Sequence, residues 1–85
     1  MDFSFKIDKP SNMADVLKNL KTLIESESGV HWGNEDKGII AVGGVEGVYE
    51  AFADYILITI VKKPVLVPNK LIEKEIRKYF KNIKG

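Results

Sequence analysis

This chain has few side chains that could bind a metal ion or take part in catalysis, and they are scattered along the sequence. His31 is the single histidine, and Glu35 and Asp36 follow it closely. Imidazole and carboxylate groups are both zinc ligands, so these three residues are the candidates for a metal site. The segment 34–37 nevertheless has the composition of a turn, where Asn and Asp are favoured because they hydrogen-bond the backbone. The pattern favours a turn, and no metal is expected.

Two further carboxylates, Glu46 and Glu50, lie in a stretch with strand character. At about 3.3 Å per residue they are about 13 Å apart, whereas glycosidase carboxyl pairs are at most ~9.5 Å apart. The glycine-rich segment 43–47 precedes a strand, so it lacks the helix N-terminus of a phosphate loop. No catalytic, cofactor-binding or metal-ligating residue is therefore assigned, and the chain is predicted not to be an enzyme.

Cysteine is absent from the 85 residues. This excludes a disulfide framework, a thiolate zinc site and a cysteine nucleophile. No signal-like segment begins the sequence, and no apolar run approaches the ~20 residues that span a bilayer. We expect a cytoplasmic protein without a membrane partner, built as a single α+β domain over residues 1–85.

Charge is divided unevenly along the chain. From Lys62 onward there are eight basic and two acidic residues, a net +6, whereas the whole chain carries +1. Lysines in the last predicted helix form one positive ridge, which is either a solvated helix face or a surface for nucleic acid or another acidic partner. Lys62 and Lys63 also precede the N-terminus of that helix, where they would hold an anion. The candidate anion- or nucleic-acid-binding residues are Lys62, Lys63, Lys70, Lys74, Arg77, Lys78 and Lys81.

Apolar periodicity predicts seven elements that position these side chains. Alternating apolar residues predict strands, and spacings of three and four predict helices. The strands are predicted to begin at Phe3, Val30, Gly38, Val45 and Tyr55. The first helix is predicted to follow an N-cap at Ser11, and the second to begin at Pro68 or Asn69. Gly29 is expected in the left-handed conformation that ends the first helix. An apolar connector, 65–67, precedes the second helix.

Gly43 and Gly44 predict a two-residue hairpin loop with positive φ at both positions. Because hairpins make consecutive strands antiparallel, the β-α-β-β-β-β-α order predicts an α+β fold. It should be a two-layer sandwich with a mostly antiparallel sheet and both helices on one face.

Side chains alternate along a strand, so residue parity assigns each one to a face of the sheet. The face predicted to contact the helices is almost purely apolar: Ile40, Val42, Val45, Tyr49, Ala51, Ile56, Ile58 and Ile60. The opposite face adds two carboxylates to a second apolar set: Ile39, Ala41, Glu46, Val48, Glu50, Phe52, Tyr55, Leu57, Thr59 and Val61.

Two interpretations of this second face are open. Either Trp32 and the terminal segments cover part of it, or it is a dimer interface or ligand-binding surface, because large exposed apolar patches are uncommon on monomers. The candidate interface residues are Val48, Phe52, Tyr55 and Leu57.

The stretch TIVKKPVLVPNKLIE, from Thr59 to Glu73, together with the hairpin from Gly38 to Tyr49, resembles a small uncharacterised prokaryotic α/β family, a domain of unknown function. This resemblance covers about the C-terminal half of the chain and implies a fold but no catalytic residue. A strand, a helix, an antiparallel meander and a long final helix are also similar to a reduced helix-grip, START-like architecture. Such folds often enclose apolar ligands, although this chain is too short for their usual number of strands.

These patterns together predict a small non-enzymatic binding or interaction module that forms a homodimer through the open face of the sheet. One alternative is a weak nucleic-acid-binding protein that uses the basic last helix. The other is a carrier of a small apolar or anionic ligand. No cofactor is expected.

Overall fold

A computed structural model describes residues 3–81, without the side chain of Lys81. Within this range the chain forms five strands and two helices in the predicted order. Their bounds are β1 Phe3–Asp8, α1 Met13–Ser26, β2 Val30–Gly33, β3 Lys37–Val42, β4 Val45–Ala51, β5 Tyr55–Lys62 and α2 Asn69–Lys81.

The five strands form one sheet in the order β1-β5-β4-β3-β2. All neighbouring pairs are antiparallel, so the predicted α+β fold with an antiparallel sheet is confirmed. Strands β2 to β5 are a meander, and β1 pairs with β5 at one edge, with Phe5 opposite Ile58. The sequence had left the position of β1 undetermined, because a strand separated from the meander by a helix has no hairpin that fixes its neighbour.

Both helices pack on one face of the sheet. The buried residues of β3, β4 and β5 are those of the predicted helix-covered parity, and α1 and α2 contribute their apolar stripes to the same cluster. The fully or almost fully buried members are Phe5, Met13, Val16, Leu17, Leu20, Ile24, Ile40, Tyr49, Ile56, Ile58, Ile60, Ile72, Ile76 and Phe80. The Tyr79 hydroxyl donates a hydrogen bond to Glu27 Oε1 at 2.7 Å and so links α2 to the end of α1.

Two details at the ends of α1 differ from the expectations. Asn12, not Ser11, occupies the N-cap position. At the other end Ser28 has the left-handed conformation, with φ 65°, and Gly29 follows it. The N–H of Gly29 donates to the Ile24 carbonyl at 2.8 Å and that of Ser28 to Glu25 at 3.0 Å. This is the hydrogen-bond pattern of a Schellman motif, which caps a helix C-terminus.

Glycine is needed at position 29 because of space. A Cβ atom there would lie 2.6 Å from the Ala41 carbonyl oxygen and 2.7 Å from an Ile24 methyl group. The backbone at residue 29 passes so close to β3 that only glycine fits there. Steric space, and not the left-handed conformation expected from the sequence, therefore explains Gly29.

The hairpin between β3 and β4 has the predicted form. Gly43 and Gly44 have φ values of 60° and 81°, and Val42 pairs with Val45 across the loop. Positive φ at both loop positions is typical of the type I′ turn that matches the twist of the flanking strands.

Candidate functional site: the open face of the sheet

The face of the sheet opposite the helices, called here the open face, carries an exposed apolar row. Trp32, Ile39 and Val48 are register partners on β2, β3 and β4, and they are 72%, 45% and 38% exposed. Thr59 continues the row on β5, and its hydroxyl lies 2.9 Å from that of Ser4 on β1. The row thus crosses all five strands, apolar on three of them and polar at the β1 edge.

A second row lies beside the first and carries charge. Lys37, Glu50, Leu57 and Lys6 are register partners across β3, β4, β5 and β1. Lys37 and Glu50 are directly opposite each other and exposed. The ion pairs formed among the described residues do not include one between these two side chains. Both charged groups therefore remain available to a partner that covers the open face.

A shallow depression lies between the two rows. Its volume is about 790 Å³, and its lining includes Trp32, Ile39, Val48 and Leu57 together with Glu50. Apolar side chains with a few polar groups at one side are the usual lining of a binding surface. The depression is open to solvent along its length, so it resembles a docking surface more than an enclosed ligand cavity.

All four predicted interface residues lie on the open face. Val48 and Leu57 line the depression. Phe52 and Tyr55 stack at the β4–β5 turn, with ring centroids 5.0 Å apart, and Lys6 Nζ lies 4.6 Å from the centroid of the Tyr55 ring. The aromatic pair thus extends the patch toward one end of the sheet.

Trp32 lies at the β2 edge of this face and lines the depression, but Ile39 and Val48 beside it remain 45% and 38% exposed. Strand β1 extends the sheet at the opposite edge instead of crossing the face. Residues 3–8 therefore do not cover the face, and the remaining terminal residues lie outside the described range. Sequence reasoning placed Ile39 on this face but did not select it as an interface candidate. It missed Trp32 because the register of β2 was not known.

Behind the open face, a buried polar cluster joins β2 to β4. The Tyr49 hydroxyl donates its proton to the Asn34 carbonyl at 2.7 Å, and His31 Nε2 lies 2.9 Å from the same hydroxyl oxygen. Because a hydroxyl has one proton, Nε2 must be the donor, so His31 is the neutral Nε2–H tautomer. Gly38 makes room for this arrangement, since a Cβ there would lie 2.5 Å from the Tyr49 hydroxyl.

His31 is therefore a structural residue of the core and is separated from the two acidic candidates. Glu35 and Asp36 are exposed in the β2–β3 turn. Asn34 Oδ1 accepts hydrogen bonds from the N–H groups of Asp36 at 2.8 Å and Lys37 at 3.1 Å, which confirms the predicted turn. Among the described residues, no group of three or more acidic or histidine side chains is arranged to hold a metal ion.

Burial lowers the pKa of His31, and the nearby Lys21 ammonium lowers it further against a smaller opposing effect of Glu25. The unfolded chain keeps the ordinary value of 6.5 and binds more protons below that pH. We therefore expect the free energy of unfolding to decrease as the pH falls below about 6.5, because the folded state resists protonation of this imidazole.

Urea midpoints at about pH 7.5 and about pH 5.5 measure this effect. In His31→Gln the amide nitrogen can replace the Nε2–H donor without titrating. The difference between the two midpoints should be smaller in this variant than in the natural chain. Equal differences would assign the pH dependence to other groups.

The structure separates the predicted basic residues into different environments. Lys62 Nζ lies 3.6 Å from Glu46 Oε2, because a register shift between Glu46 and Gly47 places Lys62 opposite Glu46. Lys63 Nζ donates to the Val67 carbonyl at 2.7 Å. Arg77 Nε donates to Glu73 at 2.8 Å. These three cations already have partners within the fold, which argues against Lys62 and Lys63 as a built anion site.

The ridge itself is exposed as predicted. Lys70, Lys74 and Lys78 are solvent-exposed along α2, whereas the side chain of Lys81 lies outside the described part of the chain. The Arg77 guanidinium is turned to the sheet, 5.3 Å from the centroid of the Phe5 ring. Nucleic-acid binding by this ridge stays a prediction.

None of the helices in residues 3–81 is long and apolar enough to cross a membrane. Comparison of the chain with models of protein families, with curated proteins and with solved structures finds no match.

Proposed function

We propose that this protein is a small interaction module that assembles as a homodimer through the open face of its sheet. The observation that carries the proposal is the register of the two rows on β3 and β4. Ile39 is opposite Val48, and Lys37 is opposite Glu50. Each position on β3 is therefore complementary to its partner on β4, apolar with apolar and cation with anion.

A two-fold axis converts this register into self-complementarity. If the axis runs parallel to the strands between β3 and β4, β3 of one copy faces β4 of the other. Ile39 then faces Val48 of the second copy, and Lys37 faces Glu50. Every contact occurs twice, as a two-fold interface requires. Trp32 faces Thr59 in the same arrangement, so its exposed indole is covered.

The size of the face supports a dimer of moderate affinity. In this arrangement four of the five strands overlap, because β1 extends beyond β2 of the second copy. At a spacing of about 4.8 Å and a strand length of about 20 Å, four strands give an area of roughly 400 Å² per copy. Two copies would bury about 800 Å², which is typical of weak, transient protein–protein interfaces. We therefore expect a dissociation constant in the micromolar range, about −8 kcal/mol.

A charge-reversal series tests the geometry. Lys37→Glu and Glu50→Lys should each weaken dimerisation about tenfold, because each places like charges together across the interface in two places. The double variant should return the dissociation constant to within about threefold of the natural value, since opposite charges face each other again. Sedimentation equilibrium measures all three constants.

Lys18→Glu is the matched control. Lys18 is exposed on α1, on the far side of the molecule from the open face, and its reversal changes net charge by the same amount as Lys37→Glu. It should leave the dissociation constant unchanged. A double variant as weak as the single ones, or a control that weakens the dimer equally, would contradict the proposed pairing.

A further inference from the structure

The connector between β5 and α2, residues 63–68, exposes two adjacent apolar side chains. Val65 is 91% exposed and Leu66 94% exposed. Single exposed apolar residues are ordinary on protein surfaces. Two neighbouring ones that are almost completely in water, at the tip of a loop, are unusual and point to a contact outside the chain.

The connector is held in this form by its own hydrogen bonds. The N–H of Val67 donates to the Pro64 carbonyl at 3.2 Å, and Lys63 Nζ donates to the Val67 carbonyl at 2.7 Å and to that of Pro64 at 3.4 Å. Val67 packs against the core. Prolines 64 and 68 further restrict the backbone. The fold thus fixes the loop with Val65 and Leu66 outside the core.

The surroundings of this loop are basic. Lys70 and Lys74 follow it on the exposed surface of α2. Lys62 precedes it and is also exposed, although its ammonium group lies 3.6 Å from Glu46 Oε2. An apolar tip next to several lysines is the combination that binds the surface of a bilayer with anionic lipids, because insertion and charge attraction add.

We propose that the connector is a membrane-surface anchor whose Val65 and Leu66 side chains insert into the interfacial region of an anionic bilayer. A bilayer fits these observations better than a protein groove because the apolar pair is a small convex tip. Two side chains cannot supply the area of a stable protein–protein interface, whereas a lipid surface adapts to a convex shape. Such surface insertion does not need the ~20 apolar residues of a membrane-spanning segment.

The proposed homodimer would strengthen this binding, a consequence that rests on the proposed function. A two-fold axis parallel to the strands leaves both copies with their strand ends pointing the same way. The connector lies at the end of the sheet that also holds the β3–β4 turn, since a Cβ on Gly44 would be 3.4 Å from the Pro64 ring. Both connectors would therefore meet one bilayer plane and bind it together.

Co-sedimentation with lipid vesicles tests the anchor. The natural chain should sediment with vesicles of phosphatidylcholine containing about 30% phosphatidylglycerol and only weakly with phosphatidylcholine alone. Leu66→Ser should lower the partition coefficient about tenfold, because it removes most of the inserted apolar surface. Lys70→Gln combined with Lys74→Gln should lower it about 25-fold, about fivefold for each lysine.

Leu23→Ser serves as the matched control, because Leu23 is also a partly exposed leucine but lies on α1. It should leave the partition coefficient unchanged. Leu57→Glu places a charge in the proposed dimer interface and should give a monomer. This variant should still bind anionic vesicles, with reduced affinity, so a failure of the proposed dimer and a failure of the anchor are distinguishable. Absence of binding to anionic vesicles would overturn the proposal. Binding that needs the lysines but not Leu66 would overturn it too, because it would show charge attraction to a polyanionic surface without insertion of the apolar pair.

Discussion

Leu57→Glu is expected to convert the proposed homodimer into a monomer. Leu57 lies in the depression of the open face, beside Glu50 on the neighbouring strand. In the proposed dimer the new carboxylate would be removed from water once in each copy, with Lys6 of its own chain beside it on β1 but no cation of the second copy facing it. Desolvation costs several kcal/mol per ion, and an ion pair with Lys6 offsets only part of that cost, so the dissociation constant should rise more than 100-fold.

Light scattering coupled to size exclusion measures this change as a halved mass. The fold itself should survive, because Leu57 is only half-buried in the single chain, and circular dichroism should stay close to that of the natural chain. A variant that keeps the mass of the natural dimer would place the interface elsewhere. A variant that loses its circular dichroism signal would show that Leu57 belongs to the core.

Ile58→Ala, one position further along β5, should destabilise the fold of each copy without acting on the proposed interface. Ile58 is 1% exposed and belongs to the core between the sheet and the helices. Removing buried methyl and methylene groups leaves a cavity, and such substitutions lower the free energy of unfolding by about 2–5 kcal/mol. The dimerisation surface itself should be unaffected.

Urea denaturation is the measurement, and it is best made in the Leu57→Glu background so that dimer dissociation does not contribute. Leu71→Ala is the control, because Leu71 is about half exposed on α2. It should cost well under ~1 kcal/mol. A cost below ~1 kcal/mol for Ile58→Ala would mean that the two faces of the sheet are assigned the wrong way round.

Much of the fold follows from alternation along the strands. Because side chains alternate with a period of two, the two-residue loop at Gly43 and Gly44 fixed which residues of β3 and β4 share a face. The buried set in the structure has the predicted parity, from Ile40 on β3 to Ile60 on β5. The helices were equally visible, because their apolar spacings match one face of α1 and of α2.

Other features depend on contacts between distant parts of the chain and were not predictable locally. The pairing of β1 with β5 joins the two ends of the sequence. The register shift that brings Lys62 to Glu46 inserts one extra residue in β5, and simple alternation cannot reveal such a bulge. The hydrogen bond between His31 and Tyr49 depends on both the β2 register and the empty space at Gly38.

The candidate site was found only in part for the same reasons. Val48 and Leu57 were identified because they lie on strands whose parity was known. Trp32 was not, since its face depends on the pairing of the short strand β2. Leu66 was classed as part of an apolar connector, and nothing in its sequence context showed that the loop would hold it outside the core.

The fluorescence of Trp32 tests the central claim most directly, because this single tryptophan lies within the proposed interface. Its indole is exposed in one copy and covered when a second copy packs on the open face. Dilution of the natural chain from about 200 μM to about 1 μM should shift the emission maximum to longer wavelength, with a midpoint in the micromolar range. Leu57→Glu should emit at the longer wavelength throughout. An emission maximum that is independent of concentration and typical of exposed indole would contradict dimerisation through this face.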